Sequence, residues 1–441
     1  MDKREQLINT YIILLFGVLN LFCNEFNFLT INLRTLLLFA VTFVTFIYYV
    51  RQGTGPYNWK KLTRTDWLIS GIMIITLICL IYRICTGIAD VNQEIVLLAI
   101  GVMYFVLHKY EVDIRAVFGV LCISNYIVYA MMLLSYITKG WSSPLIKFLK
   151  GNGGATAWLL LGVAVTMLSY CTSRRRKLTV FYGIGMLLGS FLLFMEKNMT
   201  AILIIEGLII SLPFIFKPEK RFIKRVIEIF LCFNFLLCNM SLLTGYVEIF
   251  KGDMIYDLEV SVYMELVLAV AALAFFTLWD KHTTEEDEMD TRLPELLPFF
   301  QLVAVVAIIF IGALFTAATR GSSVVLPDVM YKLLSLFILS IAEQNGIFYT
   351  IGERYGIVGA VAVMVLLAVI AIYCLRKPME DTREQKLSKC IMVIYVVQSI
   401  FLKQTVLTTP LYAAIIIMYL KGTVEKERNV LDEADNSDTV L

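Results

Sequence analysis

The chain has 441 residues and a mass of 50.2 kDa; 59% of it is hydrophobic, 17% is charged, and its mean hydropathy is +0.78. An ordinary soluble domain carries about 25% charge and 45–50% apolar residues, so a soluble enzyme, a nucleic-acid binder and a disordered protein are excluded. The net charge of +2 decides nothing, because the two signs nearly balance.

A helix crosses the hydrocarbon with about 20 mostly apolar residues. In chain order such runs lie near 7–24, 33–50, 66–86, 93–108, 115–138, 153–172, 178–195, 199–216, 225–246, 261–279, 296–317, 356–375, 388–403 and 407–420. The runs are continuous and not alternating, which excludes a membrane barrel. The last two are the weakest. The expected fold is all-α: a polytopic transmembrane helix bundle of about 12–14 spans over residues 1–422, with a polar, disordered tail over 423–441. The first run lacks a small-residue cleavage site and leads straight into further spans, so it reads as a span and not as a signal peptide.

Lys and Arg accumulate on the cytoplasmic side of membrane proteins. With both termini inside, 27 of the 38 basic residues fall on that side. They include the run Arg174-Arg175-Arg176-Lys177 and the cluster Lys217, Lys220, Arg221, Lys224, Arg225, which read as topology determinants in inside loops. So do Arg383, Lys386 and Lys389. The acidic stretch Glu285-Glu286-Asp287-Glu288 solvates another inside loop.

Eleven basic residues fall outside: Arg34, Arg83, Lys139, Lys147, Lys150, Lys197, Lys251, Arg320, Lys332, Arg354 and Lys403. Either they are solvated loop charges or some of them hold an anionic ligand at the outer surface. The longest outer connection is the loop 318–355, beginning near Arg320. Its segment 328–342 is too apolar to float in water and too short for a comfortable span, so an interfacial or re-entrant helix is expected there. That helix would return Glu343, Gln344, Asn345, Glu353 and Arg354 to the membrane face. The two histidines, His108 and His282, both fall inside. A base acting outside must therefore be a carboxylate or a substrate phosphate, with Glu343, Glu353 and Glu196 as the candidate side chains.

Few polar groups lie within spans. Glu206 sits mid-span, either as a functional intramembrane carboxylate or as a structural one facing the bundle. Asn125, Asn234, Asn239 and Gln398 read as interhelical glue, and Gly185 and Gly189 as a GxxxG packing pair. The nine cysteines lie in or beside apolar runs, form no CxxC pair, and read as small apolar filler with no metal site.

Three segments carry a resemblance. Lys150-Gly151-Asn152-Gly153-Gly154-Ala155-Thr156-Ala157 opens one span after an outer loop. Glu196-Lys197-Asn198-Met199-Thr200-Ala201 opens another. Glu343-Gln344-Asn345-Gly346 precedes Gly352-Glu353-Arg354-Tyr355-Gly356-Ile357-Val358-Gly359 at a further span start. This layout resembles the O-antigen ligase and polymerase superfamily of bacterial envelope glycosyltransferases, over roughly residues 145–375. Gln344 stands where the ligases have His, followed by Asn345, and Lys197 stands near the Arg of their Ser-Arg-Thr-Ala turn. The segment 345–359 also resembles the peptidoglycan polymerases of the shape, elongation, division and sporulation family. Their Asp would fall at Asn345, and their Gly-Gly-Ser signature is absent.

The resemblance implies a polymerase of polyprenyl-pyrophosphate-linked oligosaccharide repeat units at the outer face of the bacterial cytoplasmic membrane, serving O-antigen or capsular polysaccharide synthesis. It would be a glycosyltransferase with a lipid-linked donor and no metal or other cofactor. Other polysaccharide-assembly proteins are conceivable partners, and nucleic acid is not one. A pyrophosphate at that depth needs converging cations, and Arg grips two oxygens where Lys offers a point charge. Arg320 and Arg354 are the first candidates, followed by Lys197 and Lys150. Glu343 or Glu353 would orient or deprotonate the acceptor hydroxyl, with Asn152, Glu196, Gln344 and Asn345 lining the glycan site. Ligase-type glycan transfer and a lipid-linked oligosaccharide flippase or transporter remain the alternatives.

Overall fold

The computed structural model describes residues 3–19, 27–28, 31–51, 64–87, 91–107, 114–138, 154–196, 198–216, 220–246, 299–301, 303–304, 383–401 and 408–418. The helices are α1 (Lys3–Ile13), α2 (Leu33–Arg51), α3 (Arg64–Cys85), α4 (Asn92–Leu107), α5 (Ile114–Ile137), α6 (Gly154–Thr172), α7 (Arg176–Met195), α8 (Met199–Ile215), α9 (Lys220–Tyr246) and α10 (Arg383–Phe401). A short apolar helix, α11 (Thr409–Met418), follows them. The expected all-α bundle is observed. The spans expected at 261–279 and 356–375, the loop 318–355 and the tail 423–441 lie outside the described residues, as does most of 296–317.

Among the described residues, four helices are long and apolar enough to cross a membrane: Asp66–Cys85, Ala116–Ile137, Gly154–Thr172 and Arg176–Met195. At about 1.5 Å per residue, the 19 residues of α6 and the 20 of α7 each match a hydrocarbon core about 30 Å thick. Several threonines within the helices satisfy their hydroxyls locally: Thr42, Thr45, Thr76 and Thr166 each bond a carbonyl four residues back, at 2.7–2.9 Å.

Burial sorts the helices. In Gly154–Thr172, 89% of the span is buried inside the bundle, against 6% of Asp66–Cys85. The first is therefore the central helix. The second turns Trp67, Leu68, Ile75, Ile78 and Tyr82 outward, as a lipid-facing helix must. α3 runs antiparallel to α4, with Arg83 meeting Glu94 at one end and Tyr104 Oη donating to Asp66 Oδ1 at 3.0 Å at the other. α4 and α2 run parallel, with Asn92 accepting from the Asn32 N–H at their starts and Phe46 beside Phe105 further along.

Small residues decide the central packing. Gly185 and Gly189 of α7 do form the predicted packing pair, and their knobs come from α5. Tyr126 lies against Gly185 and donates to the Phe181 carbonyl. The Tyr129 ring tip sits between Gly189 of α7 and Gly162 of α6. A methyl group on Gly189 would fall 2.7 Å from Tyr129 Oη. One on Gly162 would fall 3.0 Å from Asn125 Nδ2 and closer still to Tyr129 Oη. Replacing either glycine by alanine is expected to lower the thermal unfolding midpoint in detergent, at a cost of about 1–3 kcal/mol. Gly119→Ala, where nothing lies within 4 Å, is expected to leave the midpoint unchanged or slightly raised. Equal midpoints for all three variants would show that the close approach carries no stability.

Several expectations need correction. The first run is helical as far as it is described, α1 continuing through a π-helical turn, Leu14–Val18; what was not expected is a short hairpin ahead of α2, pairing Asn27–Phe28 with Ile31–Asn32. Only this hairpin departs from helix among the described elements. The residues from Lys220 to Arg225, expected in a loop, form the opening turns of α9, and Arg225 is buried. Arg383, Lys386 and Lys389 likewise belong to α10, with Lys389 buried. Basic residues are good helix formers, so a charge cluster does not by itself end a helix.

Candidate functional site

Of the candidate site residues, Glu196 is described. Arg320, Arg354, Glu343, Glu353, Lys150, Asn152, Lys197, Gln344 and Asn345 lie outside the described residues. Glu196 caps the C-terminus of α7, its N–H bonding the Leu192 carbonyl at 3.1 Å. Its carboxylate accepts a 2.8 Å hydrogen bond from Tyr136 Oη in the last turn of α5. Two parallel helices, α5 and α7, thus hold this carboxylate at their shared end. Tyr136 was not singled out from sequence. The usable signal was a tyrosine closing an apolar span, an apolar ring with a polar tip.

Two residues on, Asn198 opens α8. Its backbone is extended and its side chain accepts from the Ala201 N–H at 3.0 Å, an N-cap that satisfies one of the orphan donors of the helix start. Asn198 therefore works in the fold. The corner between α7 and α8 is tight, with Glu196 anchored on one side and the cap on the other. From Thr200 an apolar cavity of about 380 Å³ runs along α8 past Gly207 to Ile215, walled on α10 by Cys390, Val393, Ile394 and Val397. From Thr200 to Ile215, at about 1.5 Å per residue, its lining extends about 22 Å along the helix.

Other polar positions resolve differently. Glu206 is 5% exposed, with no hydrogen bond to either carboxylate oxygen. Asn234 of α9 lies beside it and donates to its own helix at the Phe230 carbonyl, 3.0 Å away. Asn239 also bonds its own helix, at Phe235, whereas Asn234 in addition faces Glu206 across the α8–α9 contact, as expected of interhelical glue. Gln398 is glue as expected: it accepts from Tyr412 Oη at 2.6 Å, tying α10 to α11. Arg83 and Arg34 do not stand open to a ligand. Arg83 pairs at 2.8 Å with Glu94, which is fully buried, and Arg34 is buried beside the hairpin, where its N–H bonds Asn32.

The opposite end of α6 holds a second construction. Arg225 of α9 reaches the carbonyls that terminate α6: Tyr170 at 2.6 Å, Cys171 at 3.3 Å, and Ser173. Its other nitrogen bonds Thr179 Oγ1 of α7 at 3.0 Å, and its guanidinium lies over the Tyr170 ring. Tyr170 Oη donates to Glu228 at 2.6 Å. An arginine at a helix C-terminus faces the negative end of the dipole and the unpaired carbonyls together. Read from sequence as a topology charge, Arg225 in fact locks three helices. The available signal was an Arg followed by a Glu three residues on, inside a run that soon becomes apolar.

Comparison with protein-family models, with curated proteins and with solved structures finds no match for this chain.

Proposed function

We propose that the protein is a membrane glycosyltransferase that polymerises polyprenyl-pyrophosphate-linked oligosaccharide repeat units at the outer face of the bacterial cytoplasmic membrane. The observation that carries the reading is the corner at Glu196, where a fixed carboxylate stands four residues before Thr200, the first residue lining an apolar furrow along α8. A lipid-linked donor has the same division, with an isoprenoid chain in the bilayer and a polar head at its edge. The layout of the three sequence segments, similar to the O-antigen ligase and polymerase superfamily, supports the same assignment. In this reading both termini are cytoplasmic and the Glu196 end faces outward. Arg320 and Arg354 hold the pyrophosphate, with Lys150 and Lys197 as further cations. Glu343 or Glu353 takes the acceptor proton, and Asn152, Gln344 and Asn345 contact the glycan.

The test is the fate of the repeat unit in cells lacking the protein. A polymerase defect leaves single repeat units on polyprenyl pyrophosphate at the outer face. A flippase defect leaves them at the inner face, and a ligase defect leaves full-length polymer that is not transferred to its acceptor. Either of the last two outcomes would replace the polymerase reading.

A further inference from the structure

The end of the bundle built by Arg225 carries a surface with no assigned partner. Arg174, Arg175, Arg176 and Lys177 are all exposed at the turn between α6 and α7. Arg221 of α9, also exposed, donates from Nη2 to the Arg174 carbonyl at 3.0 Å, which brings a fifth cation from another helix to the same place. The turn does not move independently of the bundle, because Arg225 bonds the Ser173 carbonyl on one side of it and Thr179 on the other. Across the described residues of α6, α7 and α9 there is one carboxylate, Glu228, and Tyr170 occupies it from within the bundle. Five like charges held together on a rigid frame repel one another unless an anion neutralises them.

Depth says which anion. α6 and α7 are both membrane-length, so the turn joining them lies where the chain leaves the hydrocarbon, at the level of the lipid headgroups. Guanidinium groups at that depth take phosphate oxygens in bidentate fashion. We infer that Arg174, Arg175, Arg176, Lys177 and Arg221 form a binding surface for anionic phospholipid headgroups. The inference does not depend on the glycan reading, nor on which side of the membrane the patch faces.

The test uses the full-length protein, purified in neutral detergent and titrated with dioleoyl phosphatidylglycerol, with dioleoyl phosphatidylcholine, or with inorganic phosphate. The readout is the rise in thermal unfolding midpoint with ligand concentration. Phosphatidylglycerol should raise the midpoint, phosphatidylcholine should not, and added salt should weaken the effect. Changing all four of residues 174–177 to Gln should weaken the apparent affinity at least about tenfold, because each cation near an anionic surface contributes severalfold. Arg174→Lys, Arg175→Lys and Arg176→Lys together should keep only part of the binding, the charge without the bidentate contacts, and so fall between the native protein and the Gln variant. The pairs Arg174→Gln with Arg175→Gln, and Arg176→Gln with Lys177→Gln, give the same reading if the fourfold variant does not fold. Equal stabilisation by both lipids, an undiminished response in the neutralised variants, or inorganic phosphate reproducing the whole effect would each overturn the assignment.

Discussion

Arg320→Ala and Arg354→Ala are each expected to cut glycan polymerisation by about 30- to 1000-fold, and the corresponding Arg→Lys changes to recover only part of it. In the proposed reaction the departing pyrophosphate would gain charge as the glycosidic bond transfers, and a cation aimed at that charge in a water-poor site is worth about 2–4 kcal/mol of barrier lowering. Lys keeps the charge but lacks the planar fork that grips two oxygens, so charge and geometry separate in the two substitutions. Both arginines lie near the ends of the segment 318–355, which the proposal places at the outer surface; a solvated cation there would contribute almost nothing. The measurement is glycan chain length in membranes matched for protein amount. Wild-type chain length in both alanine variants would remove these residues from the site.

The second large effect is structural. Arg225→Ala is expected to destabilise the bundle by about 1–3 kcal/mol, because it strips the donors from the carbonyls of Tyr170, Cys171 and Ser173 and leaves them at a part-buried helix end. Thr179 keeps its bond to the Arg175 carbonyl but loses the Arg225 donor, which leaves the Phe194–Phe233 ring contact to hold α7 to α9. Arg225→Lys should restore a fraction, since one ammonium can reach the carbonyl cluster but cannot span to Thr179 as well. Unfolding midpoints of the purified variants in detergent, with the amount inserted in membranes, decide the matter. A midpoint unchanged in Arg225→Ala would mean that water replaces the guanidinium at no cost. Nothing in this expectation touches glycan chemistry, so it separates the stability of the frame from the activity proposed for the opposite end.

Membrane insertion and helix positions were legible without coordinates. Whether a segment enters the bilayer depends on the summed transfer free energy of its own residues, a property that a window of about 20 residues contains in full. Hence the runs near 153–172 and 178–195 correspond to α6 and α7 almost residue for residue. Even the GxxxG spacing at Gly185 and Gly189 announced a close approach, because only the absence of a side chain permits one. The partner of that approach was not announced. Tyr126 and Tyr129 lie on a helix about sixty residues earlier, and nothing in their local pattern marks them as the knobs. The same holds for Glu196, whose hydrogen bond comes from Tyr136, sixty residues away. Arg225 looked like any other charge of the inside bias until α6 was folded against it. A polar side chain in a bundle acquires its role from the groups that other helices bring to it. Those pairings are set by tertiary packing across long stretches of chain, so only the assembled bundle turned a loop charge into a helix cap and a loose glutamate into an anchored one.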